Sequence, residues 1–312
     1  MSGFIEQWRD CSATVEAHTS GSTGAPKAIK LLKADMIISA EATNRFFDID
    51  GGSLLGCPLS ESYIAGKMMV VRAEISGAEL VCESPGRTPF AMTLGRVIDL
   101  VAIVPQQIEG LLKSPNRFRH IIVGGGPVSP VEEAMALDHS RLTGAQWWMT
   151  YGMTETCSHV ALRRFGSECY ECLPGITVSV DSRGCLVISS EKSSWGRVVT
   201  NDLAELHSPT SFRWLGRIDN VVISGGKKLH PELIEPQIAP IVGTIPFFLT
   251  GRESERWGEE LVMVMEGELS DREVESLFDK IRDALGHDTA PKAIIQKKQL
   301  PRTYSGKLIR EI

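Results

Sequence analysis

Short apolar runs alternate with amphipathic stretches along the first half of the chain, and this alternation limits the possible folds most. The runs at residues 54–55, 79–82, 101–104 and 120–123 have the length of short buried strands. A helical pattern covers residues 36–47, where the apolar side chains fall near one face. The alternation predicts an α/β core.

The pattern of the sequence changes near residue 175. Runs at 177–180, 185–188 and 198–200 are short and are broken by Gly, Ser and Asn. They predict a small β-rich subdomain that ends near residue 215.

A third pattern follows residue 216. Residues 221–224 indicate a strand, Pro231 a helix start, and Ser270 the cap of a helix with one apolar stripe. These elements predict a small α+β domain. We place the boundary near 217–219, which gives a large α/β core domain at 1–216 and a small C-terminal domain at 217–312.

Composition excludes several classes of protein. The 312 residues are 42% hydrophobic and 23% charged, as in an ordinary folded chain. The net charge of −6 argues against a general nucleic-acid binder. No run reaches the length of a membrane span, and the N-terminus lacks a signal-peptide pattern, so we expect a cytoplasmic protein.

The cysteines give little evidence of a disulfide framework or a metal site. Their number, seven, is odd, and the chain is large. Cys169 and Cys172 form a single CxxC without further zinc ligands at the usual spacing. We expect two partly buried thiols.

The segment His-Thr-Ser-Gly-Ser-Thr-Gly-Ala-Pro-Lys-Ala at residues 18–28 carries the clearest chemical signal. Its glycines let the backbone approach a ligand, and its hydroxyls and one ammonium suit a polyphosphate. Pro26 stands where a Walker A loop needs glycine. The residues predicted to bind phosphate are Thr19, Ser20, Gly21, Ser22, Thr23, Gly24 and Lys27.

This segment resembles the phosphate loop of the adenylate-forming superfamily, which includes acyl-CoA synthetases, adenylation domains and luciferase. Four further segments match that family's motifs in order, from residue 151 to residue 307. They are Tyr-Gly-Met-Thr-Glu-Thr at 151–156, Thr-Asn-Asp at 200–202, Leu-Gly-Arg-Ile-Asp at 215–219 and Pro-Arg-Thr-Tyr-Ser-Gly-Lys at 301–307.

The resemblance implies ATP, Mg²⁺ and CoA as cofactor and co-substrates. A hydroxyl and a carboxylate after an apolar run suit a phosphate oxygen and Mg²⁺, and the family gives these roles to Thr154 and Glu155. It implies that Lys307 is the catalytic ammonium, which neutralises charge that grows at the α-phosphate in the transition state.

Further nucleotide contacts are implied by the same motifs. Asp202 would accept the ribose hydroxyls with Arg217 beside it, and a glycine turn after a strand would receive adenine. The remaining ATP-site residues are Gly124, Gly125, Gly126, Tyr151 and Gly152.

The family also implies a mobile small domain that serves two half-reactions in turn. Asp219 resembles its hinge residue. One pose would present Lys307 for adenylation, and the other would present Gly225 and Gly226 to form the CoA tunnel.

Details of the sequence narrow the acid. Residues 155–159 and 58–69, followed by Arg72, look most like o-succinylbenzoate–CoA ligases of menaquinone synthesis. A dicarboxylate needs one carboxylate to react and a cation, Arg72 or Lys67, to hold the other. His159 would line the acyl pocket. The alternative for Arg72 is that it caps a helix or bridges a surface acid.

Two other functions stay open at this point. The chain could activate a different aryl or acyl acid or load a carrier protein, or it could be a shortened, weakly catalytic nucleotide-binding protein. The family's long N-terminal subdomain is mostly absent before the loop at residue 19, and a homodimer is compatible with the resemblance. Ala28 and Asn201 each replace a usual glycine.

Overall fold

The description of the computed structural model covers residues 2–18, 28–302 and 308–312. The helices within these ranges are α1 (Ser2–Arg9), α2 (Lys33–Phe46), α3 (Ile64–Ser76), α4 (Ile108–Leu112), α5 (Pro130–Thr143), α6 (Pro231–Val242) and α7 (Asp271–Leu285). The strands of the first part are β1 (Thr14–His18), β2 (Ala28–Leu32), β3 (Leu54–Cys57), β4 (Glu79–Cys82), β5 (Val97–Ile103), β6 (Arg117–Val123), β7 (Gln146–Gly152), β8 (His159–Arg164) and β9 (Cys169–Cys172). The later strands are β10 (Ile176–Val180), β11 (Cys185–Ser190), β12 (Arg197–Ser208), β13 (Ser211–Arg217), β14 (Val222–Ser224), β15 (Lys227–Leu229), β16 (Phe247–Ser254), β17 (Gly258–Glu266) and β18 (Ile294–Lys297).

One large sheet dominates the fold. Its eleven described strands run in the order β10-β11-β12-β13-β9-β8-β7-β6-β5-β3-β4. Strands β4, β3, β5, β6 and β7 are parallel neighbours, and every pairing from β7 onward to β10 is antiparallel. The predicted α/β class is confirmed. The β-rich region after residue 175 continues the same sheet, because β13 pairs with β9.

The parallel strands are apolar on both faces because helices and loops cover both. Leu55 and Leu100 belong to one core cluster, whereas the adjacent Leu54 and Val101 belong to a second cluster on the opposite face. Successive side chains of a strand point to opposite faces, so a strand buried on both sides has no polar alternation. This explains why the sequence shows short continuous apolar runs.

A second, smaller sheet forms after residue 220. Its order is β15-β14-β17-β16, with β18 parallel to β17, and α6 and α7 pack against it through residues such as Ile238 and Ile281. A short 3-10 turn, Ile218–Asn220, connects β13 of the large sheet to β14 of the small one. The predicted domain boundary falls on this turn, and the division at residue 216 stays a prediction.

The C-terminal segment is fixed on both sides of residues 303–307. Arg302 and Leu308 form an isolated antiparallel bridge, and the Ile309 backbone N–H donates to the Pro301 carbonyl at 2.9 Å. The Arg310 guanidinium then pairs with Glu235 of α6, with one N–O distance of 2.8 Å. The chain that carries Lys307 is therefore attached to the small domain at both of its described ends.

The seven cysteines are free thiols, and Cys169 and Cys172 are half-buried residues at the two ends of β9. None of the helices in the described ranges has the length and apolar character that crossing a bilayer requires.

Gly110 of α4 is the position where backbone packing is tightest. A Cβ there would lie 1.9 Å from the Arg87 carbonyl oxygen. We expect Gly110→Ala to lower the free energy of unfolding in urea by about 2 kcal/mol or more, because backbone must move. Gly3→Ala is the control, since no described atom outside the local helix backbone lies within 4 Å of that Cβ. Equal stability of the two variants would contradict this packing.

Candidate active site

Two parts of the predicted site lie outside the described residues. They are the phosphate loop, with Thr19, Ser20, Gly21, Ser22, Thr23, Gly24 and Lys27, and the catalytic candidate Lys307. The strands that flank the phosphate loop are described. They pair antiparallel with His18 opposite Ala28. The two residues that flank the phosphate loop therefore lie next to each other at one end of this strand pair.

The turn after β7 places Thr154 and Glu155 at the end of a parallel strand. Gly152 permits the turn, because a Cβ there would lie 2.4 Å from the Ser158 carbonyl oxygen. The Thr156 hydroxyl closes it by hydrogen bonds to the carbonyls of Met153, at 2.9 Å, and Ser158, at 2.8 Å. Thr154 is buried, whereas Glu155 is exposed and has no partner among the described residues.

The glycines predicted to receive adenine lie beside this turn. Gly124 follows β6, and its N–H donates to the Ile103 carbonyl at 3.1 Å. A Cβ on Gly124 would lie 2.4 Å from Thr150 Oγ1, and Gly125 has a φ of +84°. With Gly126, these glycines lie at the carboxyl ends of adjacent parallel strands, where open α/β sheets bind ligands.

Asp202 is held by two donors from different strands. The Tyr151 hydroxyl donates to its Oδ2 at 2.8 Å, and the Trp214 indole N–H donates to its Oδ1 at 3.2 Å. Burial, and then the Asp202 carboxylate, raise the pKa of Tyr151, so its hydroxyl keeps the proton that it donates. Each carboxylate oxygen retains capacity for another hydrogen bond, as binding of two ribose hydroxyls requires.

Arg217 faces Asp202 across β12 and β13 but pairs with the hinge candidate. The two residues are register partners, and the Arg217 guanidinium lies 2.7 Å from Asp219 Oδ2. The Asn201 amide also reaches Asp219, at 3.3 Å. The residue found in place of a usual glycine therefore connects β12 to the turn between the two sheets.

The small domain contacts the core directly beside this ion pair. A Cβ on Gly216, whose φ is +117°, would lie 2.6 Å from Glu232 Oε2 of α6. The Asn220 amide donates to Glu232 Oε1 at 2.5 Å. The CoA-tunnel candidates Gly225 and Gly226 form the turn between β14 and β15, where Gly225 packs against the Trp257 ring.

Arg72 of α3 is a buried guanidinium, with only 2% of its surface exposed. Nη2 donates to the Ser158 hydroxyl at 2.6 Å, Nη1 lies 3.5 Å from the Met69 sulfur, and Nε has no hydrogen-bond partner among the described residues. No carboxylate within the described ranges forms an ion pair with it. Burial lowers the pKa of Arg72 to about 10.

His159 lies between Arg72 and a pocket. Its Nδ1 is 3.3 Å from the Ser158 hydroxyl, and its Nε2 is 3.2 Å from the Thr43 hydroxyl on α2. Burial, and then the Arg72 charge, hold the pKa of His159 well below its usual value, so the ring is neutral.

The pocket lies between α2, the start of β8 and the loop after β11. His159, Ser39 and Trp195 are among its lining residues; Arg72 is not, and reaches it through Ser158 and His159. Its free volume is about 30 Å³. A substituted aromatic ring would enter only after the pocket wall moves.

Lys67 does not converge with Arg72, although both belong to α3. Its ammonium lies 4.5 Å from the centre of the Phe4 ring on α1, and burial lowers its pKa. The two residues are five positions apart on the helix, so their side chains differ in direction around the helix axis by more than a third of a turn. Of the two candidate anchors, Arg72 alone joins the network at the pocket among the described contacts.

Three contributing residues were not predicted: Ser158, Thr43 and Trp214. Ser158 lies within the segment quoted for its resemblance, next to His159, so its position was a usable signal. Thr43 and Trp214 reach the site only through the packing of α2 and the pairing of β12 with β13.

Comparison with known proteins shows the family of this chain. Residues 13–192 match the model of the family described as AMP-binding enzyme, which is more than half of the chain. The chain belongs to the AMP-binding enzyme family. Its relatives identify this member of the family as an AMP-forming acid–CoA ligase.

One relative is the 2-succinylbenzoate–CoA ligase of Enterococcus faecalis, 24% identical over 94% of this chain and 67% of that ligase. A solved acyl-CoA synthetase (AMP-forming)/AMP-acid ligase II-like protein from Dyadobacter fermentans is 34% identical, with a TM-score of 0.63, and the match covers 98% and 90% of the two chains. The o-succinylbenzoate CoA synthetase of Bacillus subtilis, solved with ATP and magnesium ion, has a TM-score of 0.77 at 20% identity, over 95% and 68% of the chains.

The Tyr151–Asp202 hydrogen bond in this AMP-binding enzyme can be tested by removing one oxygen. We expect Tyr151→Phe to lower the free energy of unfolding by about 1 kcal/mol, because a half-buried carboxylate loses a donor. The ring contact with Phe212, at 5.2 Å between centroids, remains. Tyr63→Phe removes a hydroxyl without a described partner and is the control. Urea unfolding that ranks the variants in the opposite order would contradict the role of this bond.

Proposed function

We propose that this acid–CoA ligase activates a dicarboxylic aryl acid, o-succinylbenzoate, and transfers it to CoA. The observation that supports this substrate is the buried Arg72 guanidinium, which lacks a carboxylate partner in the described part of the chain. The names of relatives that share about a quarter of its residues point to the same acid.

The energetics of Arg72 favour an anionic ligand. Removing a guanidinium from water costs several kcal/mol unless a counter-charge is present, and a serine hydroxyl and a thioether offset little of that cost. A carboxylate that arrives beside Arg72 would gain a charge-assisted hydrogen bond where water is excluded. The single carboxylate of a monocarboxylic acid cannot bind Arg72 and react at the same time. In a dicarboxylic acid one carboxylate can bind Arg72 while the other reacts.

The reaction has two steps. One acid carboxylate attacks the α-phosphate of ATP, which gives acyl-AMP and pyrophosphate, and the CoA thiol then displaces AMP to give the thioester. Asp202, held by Tyr151 and Trp214, would orient the ribose, and the glycines after β6 would receive adenine.

Magnesium would be held by Glu155 together with the phosphates. The residues fit this ion, because an exposed carboxylate without a described partner sits at the ligand-binding edge of the sheet, next to the buried Thr154 hydroxyl. Mg²⁺ in such sites uses one or two carboxylates plus substrate phosphates and supplies charge neutralisation. The phosphate loop and Lys307 would surround the same phosphates.

The small domain would change its pose between the two steps, with Asp219 at the hinge. Asp219 lies in the turn between the sheets and is held by Arg217 and Asn201 of the large sheet, contacts that a rotation about this turn would alter. The turn at Gly225 and Gly226 would then approach the site to complete the CoA tunnel.

Replacing each α3 cation tests the substrate assignment. We expect Arg72→Met to raise KM for o-succinylbenzoate by about 100-fold or more, because a buried charge-assisted hydrogen bond is lost, and to change KM for ATP little. Lys67→Met is the matched comparison, and we expect a small effect on either KM. The rate of pyrophosphate release gives KM for the acid and KM for ATP in each variant.

The same assay over a panel of monocarboxylic and dicarboxylic acids checks the acid itself. Turnover of another acid in preference to o-succinylbenzoate would reject the substrate. A larger effect from Lys67→Met would transfer the anchoring role to Lys67.

The role of Lys307 is tested by separating the half-reactions. We expect Lys307→Ala to reduce formation of acyl-AMP by about 100-fold or more, because charge at the α-phosphate is no longer neutralised. Formation of the thioester from supplied acyl-AMP and CoA should persist. Equal loss of both steps would contradict the two-pose arrangement, and Lys298→Ala, at an exposed lysine of the same domain, is the control.

A further inference from the structure

Four side chains form a continuous line of polar contacts from Arg72 to helix α2. Arg72 Nη2 contacts Ser158 Oγ at 2.6 Å, Ser158 Oγ contacts His159 Nδ1 at 3.3 Å, and His159 Nε2 contacts Thr43 Oγ1 at 3.2 Å. Thr43 Oγ1 also lies 3.1 Å from the Ser39 carbonyl oxygen. Thr43 is fully buried, so water does not compete for its contact with His159.

One assignment of the protons satisfies every contact in this line. The guanidinium only donates, so Ser158 Oγ accepts from Arg72. A carbonyl only accepts, so Thr43 uses its single proton on Ser39 and must accept from His159 Nε2. The neutral ring then has its proton on Nε2, which leaves Nδ1 as the acceptor of the Ser158 proton. Every contact is satisfied by one donor and one acceptor.

The opposite tautomer fits the contacts less well. With a proton on Nδ1, Ser158 Oγ would accept from both Arg72 and the ring, and the Ser158 proton would have no partner in the described part of the chain. Thr43 would have to give its proton to Nε2 and lose the contact with the Ser39 carbonyl. Burial, and then the Arg72 charge, disfavour the doubly protonated ring.

We infer that Thr43 is a positioning residue for the acid pocket, because it accepts from Nε2 and thereby holds His159 as the neutral Nε2–H tautomer. Ser158 is then fixed as donor to the ring and acceptor from Arg72. The ring that lines the pocket and the guanidinium behind it are held in one arrangement before the acid binds. The consequence for the acid rests on the proposed function, but the tautomer does not.

The tautomer is measured directly by ¹⁵N–¹H correlation of histidine rings in the labelled full chain. The chain has seven histidines, and a His159→Gln sample assigns the signal. We expect an unprotonated Nδ1 and a protonated Nε2 in the wild type and in Thr43→Ser, which keeps the hydroxyl. Thr43→Val keeps the shape but removes the acceptor, so we expect a shifted or mixed tautomer.

Thr143→Val is the matched control. Thr143 of α5 is exposed, and its hydroxyl lies 3.4 Å from His139 Nδ1 and 2.8 Å from the His139 carbonyl oxygen, so it resembles Thr43 chemically but is remote from the line. We expect it to leave the His159 signal unchanged. A proton on Nδ1 in the wild type, or an unchanged His159 signal in Thr43→Val, would overturn the inference.

Kinetics test the consequence for the acid. We expect Thr43→Val to raise KM for o-succinylbenzoate about tenfold, the effect of one lost buried hydrogen bond, with KM for ATP unchanged and with recovery in Thr43→Ser. Equal rises in both KM values would indicate a merely structural role. If the wild type does not turn over o-succinylbenzoate, the proposed substrate fails while the ring spectrum still decides the tautomer.

Discussion

Under the proposed function, binding of the acid depends on a cation that the fold buries without a counter-charge from the described residues. Arg72 lies inside the contact between α2 and α3, where a serine hydroxyl is its strongest partner. An apolar side chain would pack there at lower electrostatic cost, so under the proposed function the arginine lowers the stability of the fold and in return recognises the acid. Burial, and then the Arg72 charge, keep His159 neutral, and the guanidinium makes Ser158 Oγ an acceptor.

The proposed nucleotide site depends on a different feature, the close approach of backbone segments at one edge of the large sheet. Gly124 and Gly152 stand where any side chain would collide with the neighbouring strand. Asp202 comes from the antiparallel half of the sheet, and Tyr151 connects it to the parallel half. The continuity of the eleven described strands holds Asp202, the proposed ribose-binding carboxylate, in a fixed position relative to the glycine turns.

The sequence predicted these parts to different extents. Apolar periodicity was sufficient for the α/β class and for α7, since both depend on which face is buried. Short motifs indicated Asp202 and Glu155 as candidates, because the chemistry expected of them is local to a turn or a strand end. Thr43 and Trp214 carry no local signal, since they reach the site through pairs more than ten residues apart. Lys67 and Arg72 were equivalent cations in the sequence, and only the direction of α3 separated them.

The most direct measurement is a crystal structure of the full chain with o-succinylbenzoate and a non-hydrolysable ATP analogue bound. The account predicts the non-reacting carboxylate within about 3 Å of an Arg72 guanidinium nitrogen, with the other carboxylate directed toward the α-phosphate. The pocket wall beside Trp195 should have moved to admit the ring. Both carboxylates out of hydrogen-bond reach of Arg72, with the guanidinium still bound to Ser158 alone, would contradict it.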